Sequence, residues 1–205
     1  MIKGIKICGV SDMETLQFIL NHKSPPEFVG FITNYKKSHR YIDLENLKNL
    51  INVDKKNIKF VNVLVSPTEE ELFEMKNLNF DYLQLYNVDP EKTAKIKKNL
   101  NIKIISSITI EKKIDVDEYR KYTDISEIIL FDSKGYHKSK SFDHNLLKPV
   151  PDTFKKMIAG NIQIEDIPNF KNTNYIVDMS GALENSDGKK DLKKIDKLLN
   201  LVANI

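Results

Sequence analysis

Short, nearly continuous apolar runs alternate along the chain with longer stretches whose apolar positions recur at helical spacing. Runs of the first kind are what strands covered on both faces produce. They predict strands over 2–8, 28–32, 59–65, 82–85, 103–107, 128–131, 156–159 and 175–178. The amphipathic stretches predict helices over 13–20, 44–51, 69–76, 92–99 and 192–202, the last with lysines on its polar face. Pro67 ahead of Thr68-Glu69-Glu70, and Asp89-Pro90-Glu91, set a first-turn proline beside acidic residues, which is a helix-start signal. About eight strand–helix units predict an α/β protein with a parallel sheet, and the count favours a closed (β/α)8 TIM barrel, a single domain over 1–205, above an open sheet.

Composition narrows this reading. Hydrophobic residues make up 40% and charged residues 30%, so a full core can form and an ordered chain is expected. A single cysteine rules out an intramolecular disulfide and fits a reducing compartment. Met1-Ile2-Lys3-Gly4 runs directly into the first strand, so no secretory leader is expected. No apolar run has the length of a membrane span. A soluble, cytoplasmic protein without a membrane partner is the expectation. The net charge of +3 comes from scattered lysines with no interleaved aromatics, which argues against nucleic acid. A basic mouth that attracts an anionic small molecule stays compatible with it.

In a barrel of this kind the chemistry lies at the C-terminal ends of the strands. That rule selects Cys8, Thr33, Asn34, Gln84, Ser107, Asp132, Gly160, Asp178 and Ser180 as residues able to face one site. Cys8 ends the first strand directly before Gly9 and is either a core residue or a reactive thiol. Asp132 is a candidate acid in the corresponding place on the sixth strand, and the polar stretch 132–141 after it is a candidate substrate loop. His22, His39, His137 and His144 have no ligand spacing with the lone cysteine; they read as surface or loop residues, and no metal site is expected. Walker and Rossmann fingerprints are absent. Asp143 reads as a helix cap, and Asp178 as either a structural partner near the mouth or a catalytic group.

Several segments resemble, in order, those of the phosphoribosylanthranilate isomerase family of tryptophan biosynthesis. They are Lys6-Ile7-Cys8-Gly9, Gly30-Phe31 with Ser38-His39-Arg40-Tyr41, Val61-Asn62-Val63-Leu64-Val65 and Leu83-Gln84-Leu85. Leu130-Phe131-Asp132-Ser133-Lys134 with Phe142-Asp143, Ala159-Gly160, and Val177-Asp178-Met179-Ser180-Gly181 with Glu184 and Gly188-Lys189-Lys190-Asp191 continue the set over essentially the whole chain. The resemblance implies an Amadori rearrangement of an N-glycosylamine of anthranilate to a 1-amino-1-deoxyketose phosphate. It implies Cys8 as general base and Asp132 as general acid, with no metal and no cofactor. It implies Arg40 at the anthranilate carboxylate, since a planar fork can hold two carboxylate oxygens. It also implies phosphate bound at Gly160-Asn161 and Ser180-Gly181, with Gln84 in the substrate site, in a monomer or homodimer acting on a phosphosugar.

The chain departs from the family pattern at identifiable points. Gln84-Leu85-Tyr86-Asn87 stands where Gln-Leu-His-Gly is common, and Gly135-Tyr136-His137-Lys138-Ser139-Lys140 replaces a glycine-rich stretch. Phe142-Asp143-His144, Ala159-Gly160-Asn161-Ile162 and Met179-Ser180-Gly181-Ala182-Leu183-Glu184 also differ from the usual residues. Two alternatives stay open at this point: an isomerase for a different phosphosugar amine, and a non-catalytic phosphate-ligand barrel in which Cys8 is core.

Overall fold

A computed structural model describes residues 2–133 and 141–205. Eight parallel strands close into a barrel in chain order: β1 Gly4–Cys8, β2 Phe28–Ile32, β3 Lys59–Val65, β4 Tyr82–Tyr86, β5 Lys103–Ile110, β6 Ile128–Ser133, β7 Lys155–Ile158 and β8 Tyr175–Met179. The five stretches with helical spacing form α1 Met13–Asn21, α2 Leu44–Ile51, α3 Glu69–Met75, α4 Pro90–Leu100 and α5 Leu192–Ala203. After β5, β6 and β7 the chain instead makes 3-10 segments, Lys113–Lys121, His144–Leu147 and Ile164–Phe170, the last containing Pro168, which cannot donate to a helical ladder.

Helix starts follow from side-chain caps. Asp12, Asp43, Thr68, Asp89 and Asp191 each accept from a backbone N–H of the first turn, and Thr68 with Glu71 forms a capping box. Pro90 stands in the first turn of α4 as expected. Pro67 does not: Thr68 is the cap, so Pro67 precedes the helix. Strand ends moved by up to three residues. β5 runs on to Ile110, since Ser107-Ile108-Thr109-Ile110 alternates and lacks the continuous apolar run of the other strands, and β6 runs through Asp132, which pairs with Thr109.

Alternation along the strands divides the core in two. Outward residues such as Ile7, Phe31, Phe60, Ile129, Phe131 and Val177 pack with Leu16, Ile19, Leu47, Ile195 and Leu198 of the helices. Inward residues Phe28, Val61, Tyr82, Ile105, Ile128, Met157 and Ile176 fill the barrel itself. Phe28 and Tyr82, at the start of β2 and β4, meet edge to face at 5.6 Å and plug its floor. Above this apolar plug the inward positions turn polar: Lys6, Gln84, Tyr86, Asp132 and Asp178. No helix among the described residues is long and apolar enough to cross a membrane.

Leu198 is fully buried where α5 seals the seam between the chain's two ends. Leu198→Ala should lower unfolding stability by about 2–4 kcal/mol, through lost burial and a residual cavity, measured as a shifted urea midpoint with an unchanged slope.

Candidate active site

A cavity of about 840 Å³ opens at the C-terminal ends of the strands. A shallower hollow of about 590 Å³, lined by Lys48, Asn52, Asp54 and Asn79, lies on the loops that lead into β3 and β4, away from the strand C-termini. The first is therefore the candidate site.

β1 brings Cys8 to the cavity and places Lys6 two residues earlier on the same face. Lys6 is fully buried, and its Nζ donates to Asp178 Oδ2 at 2.8 Å. Gly30 pairs with Cys8 across the β1–β2 ladder. A Cβ there would stand 3.0 Å from Cys8 Sγ and 3.1 Å from Lys6 Nζ, so thiol and ammonium converge on space that only glycine leaves free. Burial opposes the charge on Lys6, but Asp178 and Cys8 outweigh it and its pKa is raised. Burial pushes the Cys8 thiol up, and the attraction of Lys6 does not fully offset it. Cys8 is therefore a neutral thiol at rest.

Across the cavity, burial lifts Asp132 to a pKa of about 6. The Tyr86 hydroxyl, donating to Oδ2 at 2.8 Å, pulls in the other direction, while the charge of Asp178 adds to the rise. A carboxyl in this range can hold a proton near neutrality, as a general acid must.

Arg40, on the loop after β2, crosses Gly9 to reach the mouth. Gly9 has φ +76°, and a Cβ on it would lie 2.4 Å from Arg40 Cδ, so glycine is required both for the turn and for the close approach. The guanidinium gives Nε to Glu184 Oε1 and Nη2 to Oε2. Lys190 and His39 donate to the same carboxylate at 2.9 and 3.2 Å. Burial works against the ionised Glu184, yet the bonds and charges of Arg40 and Lys190 prevail and hold its pKa at about 2.

The third wall is made of turns. Gly160 has φ +103°, and a Cβ there would strike Ser133 Oγ at 2.5 Å; Asn161 follows in the left-handed region at φ +53°. Ser180 Oγ donates to the Cys8 carbonyl at 2.9 Å, and Lys190 Nζ to the Ser180 carbonyl at 3.0 Å. Among the described residues, the amides of Gly160, Asn161, Gly181 and Ala182 donate to no backbone carbonyl.

Cys8, Asp132, Arg40, Gly160, Asn161, Ser180 and Gly181 thus share one cavity. Gln84 does not line it: this side chain lies one strand step below Tyr86 and is fully buried. Asp178 pairs with Lys6 and also lines the cavity, and Asp143 caps the segment His144–Leu147. His39 is exposed on its loop but touches Glu184. The stretch Gly135–Lys140 of the sequence-based loop, with His137, lies outside the described residues. Lys6, Tyr86 and the Glu184–Lys190 pair went unassigned. The signals were a lysine inside an apolar strand and a tyrosine two residues past Gln84, hence on the same face.

A parallel eight-stranded barrel that gathers a thiol, a high-titrating carboxyl and an arginine at its mouth fits the class of acid–base isomerases. Residues 5–201 match the family model for N-(5'-phosphoribosyl)anthranilate (PRA) isomerase, and the chain belongs to that family. N-(5'-phosphoribosyl)anthranilate isomerase of Sulfurihydrogenibium sp. (strain YO3AOP1) is 30% identical over 207 residues, 98% of each chain. The crystal structure of phosphoribosyl anthranilate isomerase from Thermotoga maritima is 25% identical and superposes with a TM-score of 0.85 over 100% of both chains. Another structure of such an isomerase, in complex with reduced 1-(o-carboxyphenylamino)-1-deoxyribulose 5-phosphate, has a TM-score of 0.84 at 24% identity over 100% of both chains and shares the fold. The chain is thus an aldose–ketose isomerase of the tryptophan pathway.

The Glu184 hub carries a stability prediction. Its folded pKa of about 2 lies below the ordinary 4.5, so its contribution is fully present above pH 4.5 and is lost as pH falls toward 2. Glu184→Gln should lower the urea midpoint at pH 7, and the gap from the parent protein should narrow steadily below pH 4.5.

Proposed function

We propose that the rearrangement of N-(5'-phosphoribosyl)anthranilate is carried out by Cys8 as general base and Asp132 as general acid, in one barrel domain formed by the whole chain. The observation that carries this reading is the convergence of both groups on one cavity that Arg40 and the Gly160–Asn161 and Ser180–Gly181 turns also line, with Arg40 Nη2 3.6 Å from where a Cβ on Gly181 would stand. Asp132 protonates the furanose ring oxygen, the C–O bond breaks, and the ring opens to a protonated imine at C1. The Cys8 thiolate then removes the proton on C2, and the electron pair flows into the imine to give an enolamine. Tautomerisation of the enol to the ketone completes the 1-amino-1-deoxyketose. The imine is itself the electron sink.

The other residues place the two anionic ends of the substrate. Arg40 offers the anthranilate carboxylate the N–H groups that Glu184 leaves unused. The amides of Gly160, Asn161, Gly181 and Ala182, which donate to no backbone carbonyl among the described residues, donate to the phosphate oxygens, with the buried Lys190 ammonium nearby. Gln84 takes no direct part and acts through its bond to the Tyr86 hydroxyl. We read the protein as cytoplasmic and as a monomer or homodimer.

The decisive assay follows the loss of anthranilate-adduct fluorescence when the protein meets freshly made phosphoribosylanthranilate. Cys8→Ala and Asp132→Asn should each lower kcat by about 10²–10⁴ with the fold intact. Near-normal turnover in both would sink the assignment.

The free groups hold their protons in inverted order, because the acid titrates near 6 and the base above its ordinary range. The active form, thiolate with carboxylic acid, is therefore a minor species whose fraction is constant between the two titrations. Below about pH 6 the carboxyl is already protonated and each further proton only removes thiolate. Above the thiol titration, rising pH only removes the acid. A plot of kcat/KM against pH should show a broad plateau with limbs on both sides, and these belong to the pair as a whole. A rate that climbs steadily through pH 5 to 9 would contradict it.

A further inference from the structure

Tyr86 ends β4 with its side chain inside the barrel and its hydroxyl 2.8 Å from Asp132 Oδ2. From below, the Gln84 side-chain amide donates to the same phenolic oxygen at 3.2 Å. A phenol carries one hydrogen. With Gln84 supplying the incoming bond, the hydrogen of Tyr86 is committed to Asp132. Burial, reinforced by the charge of Asp132, keeps the phenol protonated far above the ordinary tyrosine range. The described bonds thus run in one direction, from Gln84 to Tyr86 to Asp132.

We propose that Tyr86 is a positioning residue for the reaction: it holds Asp132 Oδ2 as a hydrogen-bond acceptor and leaves Oδ1 to carry the proton that reaches the substrate's ring oxygen. The proposal rests on the acid role given to Asp132 above. A proton on Oδ2 would oppose the Tyr86 hydrogen, so the acid form places it on Oδ1, and the carboxyl cannot turn without breaking that bond. The Ser133 backbone N–H is a second donor to this carboxylate and, like Tyr86, favours its ionised form. The Tyr86 bond also bears on how strong an acid Asp132 is. A donor to a carboxylate favours the ionised form, so Tyr86 acts against burial, the main cause of the high titration. Among the described residues, the other charged groups bearing on Asp132 are Asp178 from β8, which raises its pKa, and Lys6 from β1, which lowers it. Cys8 is the remaining titratable group that β1 brings to the cavity. The adjoining strand β5 presents Thr109, and the end of β7 presents Ala159; neither titrates.

Tyr86→Phe keeps the ring and removes only the hydroxyl. The Asp132 carboxyl titration, read by infrared difference against Asp132→Asn, should move up from about 6 by about 0.5–1 unit, the equivalent of one lost hydrogen bond. The acid limb of kcat/KM should move with it. Because the substrate phosphate titrates in the same range for both proteins, the displacement between them isolates Tyr86. At the same time kcat should fall about tenfold or more, with KM changed far less, since the acid is no longer held in line. An unmoved titration and limb in the folded variant would overturn the proposal. The parent protein offers a second reading that does not depend on the variant folding: a slowly exchanging phenolic proton in its NMR spectrum that is lost in Asp132→Ala. Its absence would also overturn the proposal. Should Asp132→Asn keep its turnover, the acid assignment itself fails; an inactive Asp132→Asn with an unmoved Tyr86→Phe titration removes only the role of Tyr86.

Discussion

The buried ion pair between Lys6 and Asp178 is the constraint around which the upper barrel is arranged. These residues are register partners across the β1–β8 ladder, so the pair spans the seam where the first and last strands close the barrel. Ser180 Oγ on the Cys8 carbonyl adds a second stitch along the same seam. Taking an ammonium out of water costs several kcal/mol even after relaxation, and a well-packed apolar pair of equal volume commonly does as well or better for stability. Stability alone therefore does not account for Lys6. Its position does: the ammonium lies beside the Cys8 thiol, in space kept open by Gly30. Closure of the barrel and the electrostatics of its mouth depend on the same two side chains.

That sharing limits how the site can be tuned. Asp178 pushes both Cys8 and Asp132 upward, and Lys6 pulls both downward. A change in either member moves base and acid in the same direction, though Lys6 bears more on Cys8 than on Asp132. A group that acts on one partner alone moves the gap between them more directly. Tyr86 bonds Asp132 directly and sits at the end of β4, a strand that carries neither member of the ion pair. On the other side, the thiol is governed mainly by how deeply β1 and Gly30 bury it. The two titrations are thus separable in the structure even though they share a field.

How much of this was legible in the sequence follows from what periodicity records. Strands buried on both faces announce themselves as apolar runs, and all eight were visible for that reason. Their ends were less clear, because β5 and β6 continue through alternating polar residues that point into the barrel, Ser107, Thr109 and Asp132. Cys8 and Asp132 were legible as strand-end residues. Lys6 was not, since a lysine in a strand reads as a solvated position, and nothing in one strand's sequence says that its inward face meets Asp178. Gln84 was legible as an inward residue but was placed one step too high. The period of two puts Gln84 and Tyr86 on one face, and only the later of them reaches the cavity. The Glu184 hub joins residues more than a hundred positions apart, a contact that no local pattern encodes.

The hub bears on how a doubly anionic substrate would be oriented. An arginine at an open mouth would attract phosphate and carboxylate alike. Here Glu184 takes the Nε edge of Arg40 and shares its one negative charge between Arg40 and Lys190, so the N–H groups left on Arg40 are directed donors that still carry positive charge. Packing over Gly9 holds that edge before any ligand arrives, which lowers the ordering cost of binding. Lys190, bonded to the same carboxylate, also reaches the Ser180 carbonyl beside the turn amides. One buried carboxylate thereby fixes both cations and gives them different faces. In the proposed arrangement the planar carboxylate matches the planar fork and the phosphate takes the turn amides, so donor geometry adds to charge in deciding which end goes where.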